Sequence, residues 1–313
     1  MFFGVDIGSS RLRVACFEKG STTTLRVVCK DLPSESWEGA VLRQPELVAA
    51  LIDEAKAEFK TKNKDCVLAV GEPFASLRKI EMPPMTAFER DRAAKFEAAR
   101  IWNCPARDLI VKTFPIGGSP PAYALGVARK CTVDSILAAA RVGGLSPVAI
   151  DYDALALGRC FPQHRVVTDV GLRHARVHLY GADGSVPQSI TANVGSAIVT
   201  KSIQEELALS QDSAEARKRI VGTSGAGVAA REVLLGEIAL TLRGQPALDP
   251  VALVGNGSRL PGLCDELTRA TGRQVFLPIA GVIAGGAAYP ADVARAMSVD
   301  AALAIGLAMW KKA

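Results

Sequence analysis

Two short segments carry the residue types that bind phosphate. Asp6–Ser10 (DIGSS) and Asp169–Gly171 (DVG) each follow an apolar run and open a second β-like run. The flanking runs are Phe2–Val5 and Leu12–Phe17 in the first case, Val166–Val167 and Ala175–Tyr180 in the second. A glycine in such a strand–turn–strand hairpin lets backbone N–H groups approach an anion more closely than a residue with a side chain allows. An aspartate closing the first strand is a hard oxygen ligand, suited to a hydrated divalent cation. Two such hairpins facing one another would grip a magnesium nucleotide from both sides. Either segment alone is weak, because Asp-Gly turns are common in soluble proteins.

Other candidates lie downstream. Glu215 and Lys218 stand three residues apart in a helical stretch, which puts both charges on one side of the helix. Gly255-Asn256-Gly257-Ser258 follows the apolar run Val251–Val254 and precedes a helix opening near Pro261, so its backbone can lie flat against a planar ligand. It is not a dinucleotide fingerprint, because the third glycine and the N-terminal βαβ setting are missing. His164, His174 and His178 have no partner at metal-ligand spacing, and no Ser–His–Asp order suggests a hydrolase.

The elements that must position these residues are legible as patterns. After the first hairpin, Leu25–Cys29 reads as a third strand. Pro45 opens a helix with Leu47, Val48, Leu51, Ile52, Ala55 and Phe59 on one face, and Cys66–Val70 reads as a buried parallel strand. This β-β-β-α-β order opens a ribonuclease-H-like lobe. From Met82 to Ala149 the character changes. Pro83-Pro84 precedes a charged helix (Phe88–Trp102), a variable stretch leads to a strand at Tyr123–Ala128, and a helix at Ser135–Arg141 is capped by Thr132 or Asp134. The second lobe starts near Arg165 with strand, turn and strand, then a helical block from Ala197 to Leu242. Val299–Trp310 reads as a closing helix with Ser298 as its N-cap.

Size and composition bound the rest. At 313 residues the chain suits two domains or lobes. With 49% apolar and 22% charged residues it is a folded globular protein, not a disordered one. A net charge of +5, spread along the chain, and only 5% aromatics argue against nucleic-acid binding. Seven cysteines with no CxxC point to a reducing cytoplasm. The longest apolar stretch, Val275–Tyr289, is broken by Pro278 and several glycines and is too short to span a bilayer, so membrane association is expected only through a partner.

Five segments fall in the order used by the actin, Hsp70 and sugar kinase ATPases: Asp6–Ser10 as first phosphate loop, Asp151–Gly158 as first connecting helix, Asp169–Gly171 as second phosphate loop, Val251–Gly262 as adenosine loop, and Ala301–Leu307 as second connecting helix. The chain resembles that superfamily and, within it, the PilM family of type IV pilus assembly. The resemblance rests on the opening FGVDIGSS, MPPM before a charged helix, GLSPVAIDYDALAL, AEARK, the adenosine loop and a closing AIGLA, and covers nearly the whole chain. It implies an α/β actin-like ATPase fold, with two ribonuclease-H-like lobes around a nucleotide cleft and a small inserted subdomain. The first lobe would take residues 1–164, with 82–149 inserted and a terminal helix 298–313 returning to it; the second would take 165–297.

The resemblance also implies ATP and Mg²⁺. Gly8, Ser9 and Ser10 would meet the β- and γ-phosphates, with Arg13 in place of the usual phosphate-facing lysine. Gly171 would serve the second loop, and Asp6 and Asp169 would hold Mg²⁺ through water. Glu215 and Lys218 would contact the adenosine, and Gly255, Asn256, Gly257 and Ser258 would lie against it. Leu172, Arg173 and His174 depart from the small hydroxyl residues usual after the second glycine. Backbone contacts survive that change and hydroxyl contacts do not, which implies weaker binding or slower turnover; Arg173 either reaches the γ-phosphate or is solvated. Asp151 is the candidate for water activation and Asp153 a candidate cap of the same helix. Gly158 and Gly306 would allow a close helix crossing or a hinge. At most weak ATPase activity is implied.

The partner implied is the N-terminal cytoplasmic segment of a PilN-type inner-membrane protein, bound between the first lobe and its inserted subdomain. The chain would sit peripheral to the inner membrane and couple other pilus inner-membrane proteins to the assembly ATPase. Two alternatives share the fold: a small-molecule kinase with Asp151 as base, and a filament-forming cell-division protein of the FtsA type.

Overall fold

In a computed structural model of the chain, residues 2–18, 24–33, 35–59, 61–117, 121–181, 185–245, 249–284 and 289–311 are described. Two units emerge, one of residues 1–159, 180–188 and 303–313, the other of 160–179 and 189–302.

In the first unit the apolar runs on either side of the DIGSS turn form an antiparallel pair, β1 (Phe3–Ile7) and β2 (Arg11–Phe17), with β3 (Leu25–Asp31) beyond. A short hairpin, β4 (Trp37–Glu38) and β5 (Val41–Leu42), leads to α1 (Pro45–Ala57), which opens on its proline and buries Val48, Ile52 and Ala55. Leu47, expected on that face, is exposed. Then β6 (Asp65–Val70) lies parallel to β1.

β7 (Ala75–Glu81), α2 (Ala87–Trp102), β8 (Leu109–Gly117) and β9 (Ala122–Arg129) form a small layer, an antiparallel sheet ordered β7-β9-β8. Its core is Met82, Ala94, Ala98, Leu109, Leu125 and Val127. Thr86 and Glu89 close a capping box at the start of α2. α3 (Lys130–Val142) and β10 (Ser146–Tyr152) return to the main layer: α3 buries Val133, Ile136 and Ala139 in its core, and β10 is the edge strand beside β6. The inserted part is therefore 75–129, not 82–149. The sequence reading missed β7 and β8, and it assigned α3 to the insert because nothing local says which core an amphipathic face joins. Neither Thr132 nor Asp134 caps α3; Thr132 is buried within it and Asp134 pairs with Lys130. The finished sheet runs β10-β6-β1-β2-β3.

α4 (Asp153–Cys160) follows, and the second unit repeats the plan. β11 (Val166–Val170) and β12 (Ala175–Leu179) flank the second turn antiparallel, with β13 (Gln188–Ala192) beyond. The helical block is α5 (Ala197–Leu207), α6 (Gln211–Val221) and α7 (Val228–Arg243). β14 (Val251–Val254), fully buried, lies parallel to β11, and α8 (Leu263–Thr271) leads to β15 (Val275–Phe276). The sheet order β13-β12-β11-β14-β15 is the first unit's order again.

α9 (Gly281–Ala284) precedes a stretch, 285–288, outside the described residues. The single closing helix expected from Val299 to Trp310 is instead two, α10 (Ala291–Asp300) and α11 (Ala302–Ala308). Ser298 is not a cap. It is buried inside α10, donating to the Ala294 carbonyl and accepting from the Ala280 N–H at 2.8 Å. In the first unit α11 packs on Gly4 of β1 and on α4. A Cβ at Gly4 would overlap the Ala304 carbonyl, and one at Gly306 the Ala156 carbonyl. Gly158 lies under the Tyr180 ring, whose hydroxyl donates to the Ala154 carbonyl. Among the described residues no helix is long and apolar enough to cross a membrane.

Candidate functional site

The first turn is closed by the Gly8 N–H donating to the Arg11 carbonyl at 2.9 Å, so that amide, expected to serve a ligand, is taken. No hydrogen bond among the described residues reaches the N–H or hydroxyl of Ser9 or Ser10, and these half-buried groups form the open tip. Register places Arg13 directly across from Asp6, and its Nη1 lies 3.1 Å from the carboxylate. Arg13 is only 8% exposed, its guanidinium sits over the bare Cα of Gly8, and its Nε is buried without a partner. Trp37 supports the turn from β4, its indole N–H donating to the Gly8 carbonyl at 2.9 Å while its ring lies parallel to Phe74. Nothing in the sequence pattern pointed to Trp37.

The second turn has the same closure, the Gly171 N–H donating to the His174 carbonyl at 3.0 Å. Asp169 again faces an arginine seven residues on, Arg176, at 3.7 Å. Its tip differs. Gly195 packs against Leu172, Arg173 and His174, and the N–H groups of Ser196 and Ala197 donate to the carbonyls of Gly171 and Leu172. Burial, with Arg176 and Arg173 adding to it, holds the His174 imidazole below the ordinary histidine range.

Ser196, 2% exposed, joins the second turn to the other predicted residues. Lys218 donates to its carbonyl at 3.3 Å, to Thr200 at 2.8 Å and to Glu215 at 2.6 Å. Those bonds use all three ammonium protons of a side chain that is nearly fully buried. Lys218 is thus a tie from α6 to the start of α5, where the sequence reading expected a ligand contact. Burial pushes its pKa down, and Glu215 recovers only part of that. For Glu215 burial pushes the other way, but Lys218, Thr200 and Arg219 outweigh it and hold the carboxyl below its usual range.

The loop after β14 presses on the same turn. Gly255, at φ +85, leaves room for the Asp169 carboxylate, and a Cβ at Gly257 would come within 2.7 Å of Val170 and 2.9 Å of Ser196. The Ser258 hydroxyl turns inward to the Gly255 carbonyl at 2.6 Å. Only Asn256 is left half-buried with its side chain uncommitted. Beside this loop lies a cavity of about 360 Å³, lined by Arg259, Leu277, Ala291, Asp292, Arg295 and Val299, with Arg259 held by Asp300 at 2.7 Å. Its lining comes from three elements distant in sequence, which is why only the loop was legible.

Asp151 departs from expectation. It lies in β10, not at the start of the helix; one carboxylate oxygen meets Arg159 and the other accepts the Tyr152 N–H at 2.8 Å. With both oxygens engaged it is a structural anion and not a free base. Asp153 does begin α4, accepting the Ala154 N–H at 2.7 Å.

No protein-family model and no curated protein matches the chain. Solved structures do. A PilM-PilN type IV pilus biogenesis complex is similar at 23% identity over 98% of this chain and 97% of that one, with a TM-score of 0.84. The ethanolamine utilization protein EutJ from Carboxydothermus hydrogenoformans follows at 13% identity over 98% and 89%, TM-score 0.63. Component A of the Acidaminococcus fermentans (R)-2-hydroxyglutaryl-CoA dehydratase aligns at 10% identity over 98% and 95%, TM-score 0.52. The fold is that of the actin-like ATPases. Each unit of this chain carries the same sheet order and one Asp-x-Gly hairpin.

Proposed function

We propose that the protein is an ATP-binding scaffold of type IV pilus assembly, PilM-like, which takes the N-terminal segment of a PilN-type membrane protein. The observation that carries this reading is the likeness to the PilM-PilN complex over nearly all of both chains, on a sequence that already matches that family's motifs in order. Phosphate would be met in the first unit by the Ser9 and Ser10 tip, and the arginine-bearing turn of the second unit is suited to the same chemistry. The base would enter the cavity of the second unit lined by Arg259. Glu215 and Lys218 would support that side from within.

Magnesium fits poorly. The two carboxylates expected to hold it are each faced by an arginine, and no group of three or more His, Cys, Asp or Glu side chains able to hold a metal occurs among the described residues. The kinase alternative loses its base, because Asp151 is bound to Arg159.

In the first unit a peptide would be taken along the edge of the inserted sheet. Phe114 and Ile116 are exposed on the edge strand β8, where an extended segment could add as a further strand. Through such a partner the protein would be held at the inner membrane and linked to other pilus proteins, the assembly ATPase among them. A pulldown with a PilN-type N-terminal peptide, with and without ATP, tests the reading: capture is expected, and failure to capture in both conditions sinks it.

A further inference from the structure

The two turns share a device that the sequence motifs alone did not reveal. In each, the aspartate and the residue seven positions later are register partners, and in each that residue is arginine: Asp6 with Arg13, Asp169 with Arg176. An aspartate beside a guanidinium offers little net negative charge to a cation, and the guanidinium repels one at close range. The same pair favours an anion. Arg13 lies over Gly8, where a Cβ would come within 3.1 Å of its Nη1, and has a buried Nε with no partner. It therefore has a planar donor set to offer beside the uncommitted amides and hydroxyls of Ser9 and Ser10.

We propose that each turn binds phosphate through its own arginine, Arg13 in the first unit and Arg176 in the second, without a divalent cation. The inference rests on the nucleotide reading above and specifies its chemistry: the ligand is the free polyphosphate anion, and Asp6 is a competitor for Arg13, not a metal ligand. A phosphate oxygen arriving at the first turn displaces the Asp6 carboxylate from one edge of the guanidinium and accepts from it.

Calorimetric titration of the full chain with ATP, once in EDTA and once in excess MgCl₂, tests this. Binding in EDTA at least as tight as in magnesium is expected, weaker in magnesium to the extent that the cation sequesters the free anion. Binding that requires magnesium, or is more than about threefold tighter with it, overturns the inference and leaves the nucleotide reading standing. No binding in either buffer overturns both. Two variants sharpen the result. Asp6→Asn frees Arg13 and should bind ATP in EDTA as tightly as the parent or tighter. Arg13→Ala should lose about tenfold or more, the usual cost of a lost charge-assisted bond. A tenfold loss for Asp6→Asn, or no loss for a folded Arg13→Ala, overturns the inference. Circular dichroism checks the folding of both variants; if Arg13→Ala is unfolded, Asp6→Asn alone decides.

Discussion

The two turns are built on one backbone plan and finished differently. Each closes with a glycine N–H donating to the carbonyl three residues on, and each sets an arginine across from its aspartate. The first leaves its tip open, with serine amides and hydroxyls uncommitted. The second has its carbonyls engaged by the start of α5 and its tip residues packed against Gly195. One module thus leaves an open tip in one unit and a tip packed against its own unit in the other. What distinguishes them is the packing behind each turn and the side chains at its tip.

The sharpest way to break the comparison is to strike the support behind each turn. Gly4→Val drives a side chain into the Ala304 carbonyl under β1, and Gly195→Val drives one into Leu172 and Arg173. Each should destabilise its unit by about 3 kcal/mol, the top of the usual range for overpacking, because the atoms met are backbone and cannot swing aside. Amide exchange should show faster opening at the first turn for Gly4→Val and at the second for Gly195→Val; the reverse pattern would contradict the assignment.

A step smaller is Lys218→Met, which leaves Glu215 part-buried without its main partner. We expect a loss of about 2–3 kcal/mol in urea unfolding, at or below the low end for breaking a buried pair because Glu215 is only partly buried, and partial recovery in Lys218→Met/Glu215→Gln. The folded carboxyl of Glu215 is held low, so its stabilisation is present above the unfolded value near pH 4.3 and fades as pH falls through the folded one. Glu215→Gln should remove that acid-side loss.

At the tips, Ser9→Ala/Ser10→Ala should weaken ATP binding about tenfold, while Leu172→Ser should strengthen it by about twofold to fivefold, both read by calorimetry. Equal effects at both tips would erase the distinction between them. The smallest effect concerns pH. His174 has a lowered folded pKa, so the unfolded chain binds the proton more readily, and stability rises with pH from that folded value up to the ordinary value near 6.5. His174→Gln should flatten that rise. The first turn has Arg11 at the matching place and should show none.

Much of this was legible because the first-order signals are local. Alternating apolar runs around Gly8 and Gly171 gave the hairpins, Cys66–Val70 and Val251–Val254 gave buried parallel strands, and their order gave the fold. What the pattern could not carry was partnership across the chain. Lys218 sits at helical spacing from Glu215 whether it faces a ligand or the α5 backbone, and only burial separates the two. Asp151 reads as a helix-start acid until Arg159 is seen bonded to it. β8 was lost because its run contains Pro115 and ends beside another glycine, and the closing helix was drawn as one because small apolar residues continue across Ala301. Arg13 and Arg176 were in plain view, but their equivalence appears only once both hairpins share one register.

Gly4 has a consequence for synthesis. The strand bearing Asp6 rests on α11, whose residues 302–308 leave the ribosome almost three hundred positions later. Packing beneath that strand is therefore completed only once residues 302–308 are made. A nascent chain stalled before Ala302 should consequently be more protease-sensitive around residues 3–17 than one that carries α11.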